Sequence, residues 1–442
     1  MPGGNDMKRL ISLVLCAVLL WILSGCRQEP LPTESKDPTQ LPTPAPTQGV
    51  VEEMLDLGSV ALEYDGVQLQ FWSMLQENDP EAKVYLQAAE YFRRTTGAQV
   101  QFNWLGGKEA DLAEALAGDL QADIFEITGD SLGNQFLPYA LELTEYATRA
   151  EYADHSWEKL TDQVLQRCSG LYGIPHRPVL YGMYYNRGRL EEIKAGALPD
   201  TWSEFLEFSQ MLKDRGYEAL VIDDARANLI LELHMERALG WENLRETMLG
   251  EQWRKNEMAM TVIQNAIQFA EMGYLVKGNP ASYPNGQNRL AQSNAVMVAG
   301  SNLLCAQVEN ATAMDVSWGV FPYPGDGPGT GLLLDAQVLA VNRSCTKPQA
   351  AFDFTMLLAT GEFDQLRADV AGGIPADPAN VSMIYGANKA METATAQAPK
   401  WFRAENNLLF TRLWNGYYKT GAYFADQLNK LSNAFESEKN VG

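Results

Sequence analysis

The sequence predicts an α/β protein built as two lobes, and three observations lead there. Segments with the period of a strand alternate with segments of helical period. The first fifty of its 442 residues have no core-forming pattern, so about 390 are left for a globular body. Single cores stop growing near 250–300 residues, and a body of that length divides.

The elements follow in order. Val67, Leu69 and Phe71 alternate with polar neighbours and form a strand. Pro80 to Thr96 reads as a helix, with Val84, Ala88, Tyr91 and Phe92 on one stripe and Gly97 as its stop. Val100, Phe102 and Trp104 make a second strand, Glu109 to Gly118 a short helix, and Asp123 to Ile127 a third strand. Strand–helix–strand–helix–strand implies right-handed crossovers and a parallel sheet. Ligands in such sheets bind beyond the carboxyl ends of the strands. Two of those ends are Phe71-Trp72-Ser73 and Thr128-Gly129-Asp130.

Thr201 and Glu204 form a capping box that opens a helix carrying Phe205, Phe208 and Leu212, which should stop at Gly216. Ala219–Ile222, Ala295–Ala299, Asp315–Phe321 and Leu334–Val341 read as strands, and Gln349–Leu358 as a helix. The glycine-rich run Gly325–Gly331 reads as a loop between strands. The last sixty residues read as helices rich in aromatics, Trp401 and Trp414 among them.

The N-terminus is of another kind. Met7-Lys8-Arg9 precedes an apolar run from Leu10 to Leu23, broken only by Ser12. That run is short for a membrane span and suits the core of a signal peptide. It ends in Leu23-Ser24-Gly25-Cys26, which resembles the bacterial lipoprotein signal. The resemblance implies removal of residues 1–25 and lipid on Cys26. Residues 27–50 then hold six prolines and four threonines with no apolar period. Such a segment stays extended and acts as a tether.

Composition narrows the function. The net charge is −22, and −23 after loss of residues 1–25, which excludes nucleic acid and anionic headgroups as natural partners. Cys168, Cys305 and Cys345 remain in the mature chain, enough for one disulfide and requiring none. Gly129-Asp130-Ser131-Leu132 spells an esterase motif, but none of the three histidines (His155, His176, His234) stands where that family's base would lie. The metalloprotease pair and the phosphate loop are both absent. Scarce histidines and scattered cysteines offer no zinc site, and no cofactor is expected. A glycosidase needs two carboxylates across a cleft, and sequence spacing leaves that alternative open.

Seven segments in chain order then carry a resemblance. Gly173-Ile174-Pro175, Tyr184-Tyr185-Asn186 and Pro199-Asp200-Thr201-Trp202-Ser203-Glu204-Phe205 come first. Ala295-Val296-Met297-Val298-Ala299-Gly300, Gly319-Val320-Phe321-Pro322, Ala350-Ala351-Phe352-Asp353-Phe354 and Gly373-Ile374-Pro375-Ala376 follow. Together they resemble extracellular solute-binding proteins of the sugar-transport type, from about residue 66 to the C-terminus. The resemblance implies a periplasmic-binding-protein-like fold of type II, two α/β lobes with a hinge and a ligand cleft between them. It places lobe 1 at residues 66–177 plus 325–376 and lobe 2 at 178–324 plus 377–442. It implies a monomeric, non-enzymatic receptor that delivers a sugar or oligosaccharide to the permease of an ABC importer. Another small solute, such as a polyamine, peptide or organophosphate, is the alternative ligand.

A sugar has weakly polar C–H faces that aromatic rings cover and a rim of hydroxyls that carboxylates, amides and arginines bind. On that chemistry, the family's contact positions fall on Trp72, Asp130, Arg177, Tyr181, Asn302 and Trp401. Asn302 stands where several relatives carry a tryptophan, which leaves a polar contact in place of stacking. Each position has a structural rival: strand core for Trp72 and Tyr181, helix capping for Asp130, an ion pair across the hinge for His176 and Arg177, and helix core for Trp401.

Overall fold

The computed structural model describes residues 63–118, 121–147, 160–162, 168–222, 227–244, 256–277 and 285–396. The leader, Cys26, the tether, Trp401 and the C-terminal aromatics lie outside these residues. The described residues belong to the unit that begins at Val60.

The first strand, β1 (Gln68–Ser73), leads into α1 (Pro80–Thr96), β2 (Gln99–Trp104), α2 (Glu109–Ala117) and β3 (Ile124–Thr128). Proline in the first turn of α1 has no N–H to leave unsatisfied, and Gly97 at φ +87° ends the helix with its N–H on Arg93 O. β2 and β3 both run parallel to β1, on its two sides. Right-handed crossovers in opposite directions put α1 and α2 on opposite faces of this sheet. On the α1 face, Phe71, Tyr85, Phe102 and Phe354 stack with ring centroids 5.3–6.4 Å apart.

The three strands are parallel as expected, and the sheet becomes mixed where β9 (Leu333–Val341) enters beside β3 and runs antiparallel to it. Sequence order gave no sign of this pairing, whose partners lie more than 200 residues apart. The sheet order is β2-β1-β3-β9-β4-β7-β5-β6. The second half holds β5 (Glu218–Ile222), β6 (Leu275–Lys277) and β7 (Ala295–Ser301), with parallel pairing of β5 to β6 and β7.

β4 (Ile174–Asn186) is thirteen residues long and joins the halves. Its first part, Ile174 to Tyr181, pairs with β9, and Tyr181 to Tyr185 pairs with β7. Tyr181 is therefore the residue at which β4 changes partners. The second crossing is in two pieces: β8 (Trp318–Phe321) pairs with Asn186 to Met183, and β9 continues along the same edge from Tyr181. The strand expected from Asp315 begins only at Trp318. Between the pieces, residues 322–332 leave the edge as a strap, whose neck closes with Tyr323 N–H on Gly331 O at 2.9 Å. This strap is the glycine-rich loop expected between strands.

Helices cover both faces of the second half. α3 (Trp202–Asp214), α4 (Ala227–Leu239) and α5 (Glu257–Glu271) share a core built on Phe205, Leu212, Leu233, Phe269 and Met297. α6 (Asn285–Gln292), α7 (Leu303–Thr312) and α10 (Ala387–Thr393) lie on the other core, which continues through Tyr184, Leu180 and Leu334 into the first half. α8 (Pro348–Ala359) and α9 (Gly361–Val370) return to the first half beside α1. The capping box on α3 forms as expected, with Thr201 accepting from Glu204 N–H and the Glu204 carboxylate reaching back to Thr201 N–H. Among the described residues Cys168, Cys305 and Cys345 form no disulfide. Among the described residues no helix is long and apolar enough to cross a membrane, and no cluster of side chains could hold a metal ion.

Candidate functional site

The β-ladder aligns three polar residues across neighbouring strands: Thr128 of β3 faces Gln337 of β9, which faces Arg177 of β4. Alternation along β4 then puts Val179 and Tyr181 on the face of Arg177, opposite Asp335 and Leu333 of β9. Asp130 lies two residues beyond Thr128, in the short helix that Thr128 caps by accepting from Ser131 N–H at 3.1 Å. Arg177 and Tyr181 thus share one face of β4, and Asp130 follows the end of β3, whose last residue lies in the same row as Arg177.

Arg177 is half-buried and held from several sides. Its guanidinium donates to Glu81 Oε2 at 2.8 Å, Gln337 Oε1 at 2.5 Å and Glu126 Oε1 at 3.5 Å. The ion pairs expected across the hinge form instead within the first half, to α1 and β3. Glu126 is fully buried and accepts from Ser73 Oγ at 2.6 Å and Met74 N–H at 2.9 Å. Burial alone would raise its pKa; the hydrogen bonds from His176 and Ser73 and the charge of Arg177 outweigh burial and hold it at about 2. Buried His176 lies 2.7 Å from the Tyr85 hydroxyl and 3.2 Å from Glu126 Oε1. Burial drives its pKa down despite that carboxylate, and we take the ring as neutral.

Behind Glu81 stands Arg367 of α9. It donates to Glu81 Oε1 at 3.4 Å, Asp364 Oδ1 at 2.7 Å and the Ile374 carbonyl at 3.2 Å. Asp364 in turn accepts the N–H groups of Ala376 and Asp377 at 2.9 Å. The segment Gly373-Ile374-Pro375-Ala376 is fixed in this way against α9. Two arginines and three carboxylates from α1, β3, β4 and α9 thus make one buried knot under the row of Thr128, Gln337 and Arg177.

Trp72 is half-buried on the sheet face opposite Phe71. Its indole N–H donates to the Gln121 carbonyl at 3.1 Å, in the chain leading into β3, which turns the ring along the sheet. Asn302 is 2% exposed, and its amide continues the ladder where β7 leaves β4. It accepts from Leu180 N–H at 2.9 Å and donates to the Pro178 carbonyl at 3.0 Å. Both groups thereby serve the strand edge.

Sequence reading missed Glu81, Glu126, Gln337, Asp364 and Arg367. One local signal existed: Glu126 interrupts the apolar run Ile124-Phe125-Ile127 of a central strand, and a charge there has to find a buried partner.

Two α/β halves, joined by long crossing strands with polar residues along them, define the type II periplasmic-binding-protein fold, and solved structures agree. A Thermus thermophilus maltotriose binding protein bound with maltotriose superposes with a TM-score of 0.61 at 16% identity, covering 85% of this chain and 100% of its own. The sugar-binding protein MalE from Xanthomonas citri gives 0.64 at 15%, covering 83% and 96%. RafE in complex with raffinose gives 0.62 at 17%, covering 83% and 98%. No curated protein matches the chain significantly. The model of one family, bacterial extracellular solute-binding protein, matches residues 76–362, and the chain belongs to that family.

Proposed function

We propose that this protein is the substrate-binding lipoprotein of an ABC importer, anchored through Cys26, that captures a sugar or oligosaccharide between its lobes and hands it to a membrane permease. Gln337, Arg177 and Tyr181 on the crossing strands, with Thr128 of β3 beside them, carry this reading, because they offer hydrogen-bonding groups and one aromatic ring along the segments that join the lobes. A sugar asks for that mixture. Asp130 adds a carboxylate beside it. The neighbours bound to maltotriose and raffinose support a ligand of this class. The chemistry is binding alone, and the lobes close over the ligand about β4 and β9. The lipid and the extended tether keep the receptor at high local concentration beside its permease.

A thermal-shift panel of mono- and oligosaccharides, with spermidine and short peptides alongside, tests this. A sugar at one hundred times its dissociation constant should stabilise the fold by about 2.7 kcal/mol. A shift with spermidine or peptide and none with any sugar overturns the ligand class. Steady hydrolysis of a glycoside overturns the non-enzymatic reading.

A further inference from the structure

The second lobe buries the carboxylate of Glu236, and among the described residues no arginine, lysine or histidine pairs with it. Glu236, on α4, has no exposed surface. Its Oε2 accepts from Gly331 N–H at 2.6 Å, and its Oε1 accepts from Thr330 N–H at 3.2 Å and the Thr395 hydroxyl at 2.8 Å. The guanidinium of neighbouring Arg237 turns away to the Gly325 and Gly329 carbonyls and to Asp200. Burying a carboxylate without a counter-charge is costly, so every donor it gathers matters.

The donors lie on the strap and on the residue that pairs with its exit into β9. Thr330 and Gly331 form the neck of the strap, one residue before β9 begins its run into the first lobe. Thr395 pairs beside the first residue of β9: its N–H reaches Leu332 O at 3.0 Å and its carbonyl accepts Leu334 N–H at 2.8 Å. One carboxylate of α4 therefore ties the strap neck and Thr395 to the second lobe at the point where β9 sets out toward the first. The strap is also pressed onto α4 by its glycines. A Cβ on Gly329 would lie 1.7 Å from the Glu236 carbonyl oxygen, and one on Gly327 2.3 Å from that of Ala238.

We propose that Glu236 is a positioning residue for lobe closure, fixing the pivot from which the second lobe rotates, and that it sets ligand affinity without touching ligand. This rests on the receptor reading above. With the pivot tied, rotation falls on β4 around Tyr181 and on β9 beyond Leu333. With it untied, the strap neck and Thr395 add their own freedom. The binding-competent arrangement then becomes a smaller fraction of the ensemble, and apparent affinity falls by that fraction.

The test uses the full chain with Glu114→Cys and Glu207→Cys for spin labels on α2 and α3, in a Cys345→Ser background. Glu236→Gln keeps the shape and replaces one acceptor by a donor aimed at N–H groups. Interlobe distances are measured without ligand, and maltotriose and raffinose are titrated as probes. The expected result is a broadened ligand-free distance distribution and about five- to thirtyfold weaker binding of whichever sugar the parent chain binds. A folded variant with an unchanged distribution and unchanged affinity overturns the proposal. Should the parent bind neither sugar, the receptor reading fails for those probes, while the ligand-free distances still judge Glu236. Thr395→Val, which removes one hydroxyl donor and keeps the branched shape, repeats the measurement if Glu236→Gln does not fold.

Discussion

The two lobes bury polar groups in opposite ways. In the first, Glu81, Glu126 and Asp364 are matched by Arg177 and Arg367, and the knot joins α1, β3, β4 and α9 by charge. In the second, Glu236 is held by backbone N–H groups and the hydroxyls of Thr330 and Thr395. His234, in the same helix, is stacked between Trp202 and Tyr323 with centroids 4.6 and 5.1 Å away, its Nδ1 without a partner among the described residues. Ion pairs fix the surface on which β4 and β9 are laid down. Directional bonds to loops fix the place where the crossing segments leave. The difference teaches that the first lobe acts as a platform and the second as the arm, and each can be broken separately.

The largest effect should come from the platform. Arg367 is buried, and removing it leaves Asp364 and Glu81 without that cation. Breaking a buried pair from one side costs about 3–5 kcal/mol. Arg367→Ala should lower stability by that amount in urea denaturation. Sugar affinity measured on the remaining folded protein should stay near the parent value, because Arg367 stands behind Glu81 and away from the crossing row. A loss below 1 kcal/mol would mean the knot is not what fixes the platform.

Acid separates the lobes next. Burial holds His234 near about 3, below its ordinary 6.5. The unfolded chain therefore binds the proton first, so His234's contribution is whole above pH 6.5 and is lost as pH falls toward 3. Between pH 6.5 and 5 that amounts to about 2 kcal/mol at 1.36 kcal/mol per unit. His176 is also depressed by burial and adds in the same direction. Glu126 works in a lower window: held near about 2, it contributes fully above pH 4.5 and loses its share from there down to 2. His234→Phe, which keeps a ring between Trp202 and Tyr323, should flatten the slope from pH 6.5 to 5 and leave the slope below 4.5 in place. An unchanged upper slope would show that His234 does not carry it.

The joint between platform and arm is the third place to test. Asn302→Ala strips the partners from Leu180 N–H and the Pro178 carbonyl, both buried in β4. An unmet buried backbone group costs about 1–3 kcal/mol. The variant should lose about 2 kcal/mol of stability by calorimetry, and Asn302→Asp should not recover it, because its carboxylate would be buried against the Pro178 carbonyl oxygen.

These tests also mark what the sequence could tell. Local chemistry was readable: Pro80 and Gly97 bounded a helix, Thr201 with Glu204 opened another, and the glycine run became a loop. Long-range pairing was not. Nothing near Leu333–Val341 says that it enters between β3 and β4, and so nothing aligned Gln337 with Arg177. Glu81 reads locally as an ordinary acidic residue in a first helical turn, and only the fold brings Arg177 and Arg367 to it. Asn302 was readable as polar, but its service to β4 depends on where β7 leaves the sheet. The strap disclosed its glycines and hid their reason, which is the backbone of α4 pressed against them.

The smallest effect concerns the ligand and sharpens the division between platform and crossing strands. Tyr181 lies where β4 changes partners and shares a face with Arg177, whereas Trp72 sits on β1 with its indole turned to Gln121. A stacked aromatic contributes about 0.5–1.5 kcal/mol beyond its buried area, roughly a two- to thirteenfold change in affinity. Tyr181→Leu should weaken sugar binding within that range in calorimetric titration, with Asp130→Asn comparable through a lost charged acceptor. Trp72→Leu should change affinity less than twofold and act chiefly on stability, since its hydrogen bond and packing belong to the first sheet. If Trp72→Leu weakens binding more than Tyr181→Leu does, the ligand lies over the end of β1, and the crossing strands serve as hinge alone.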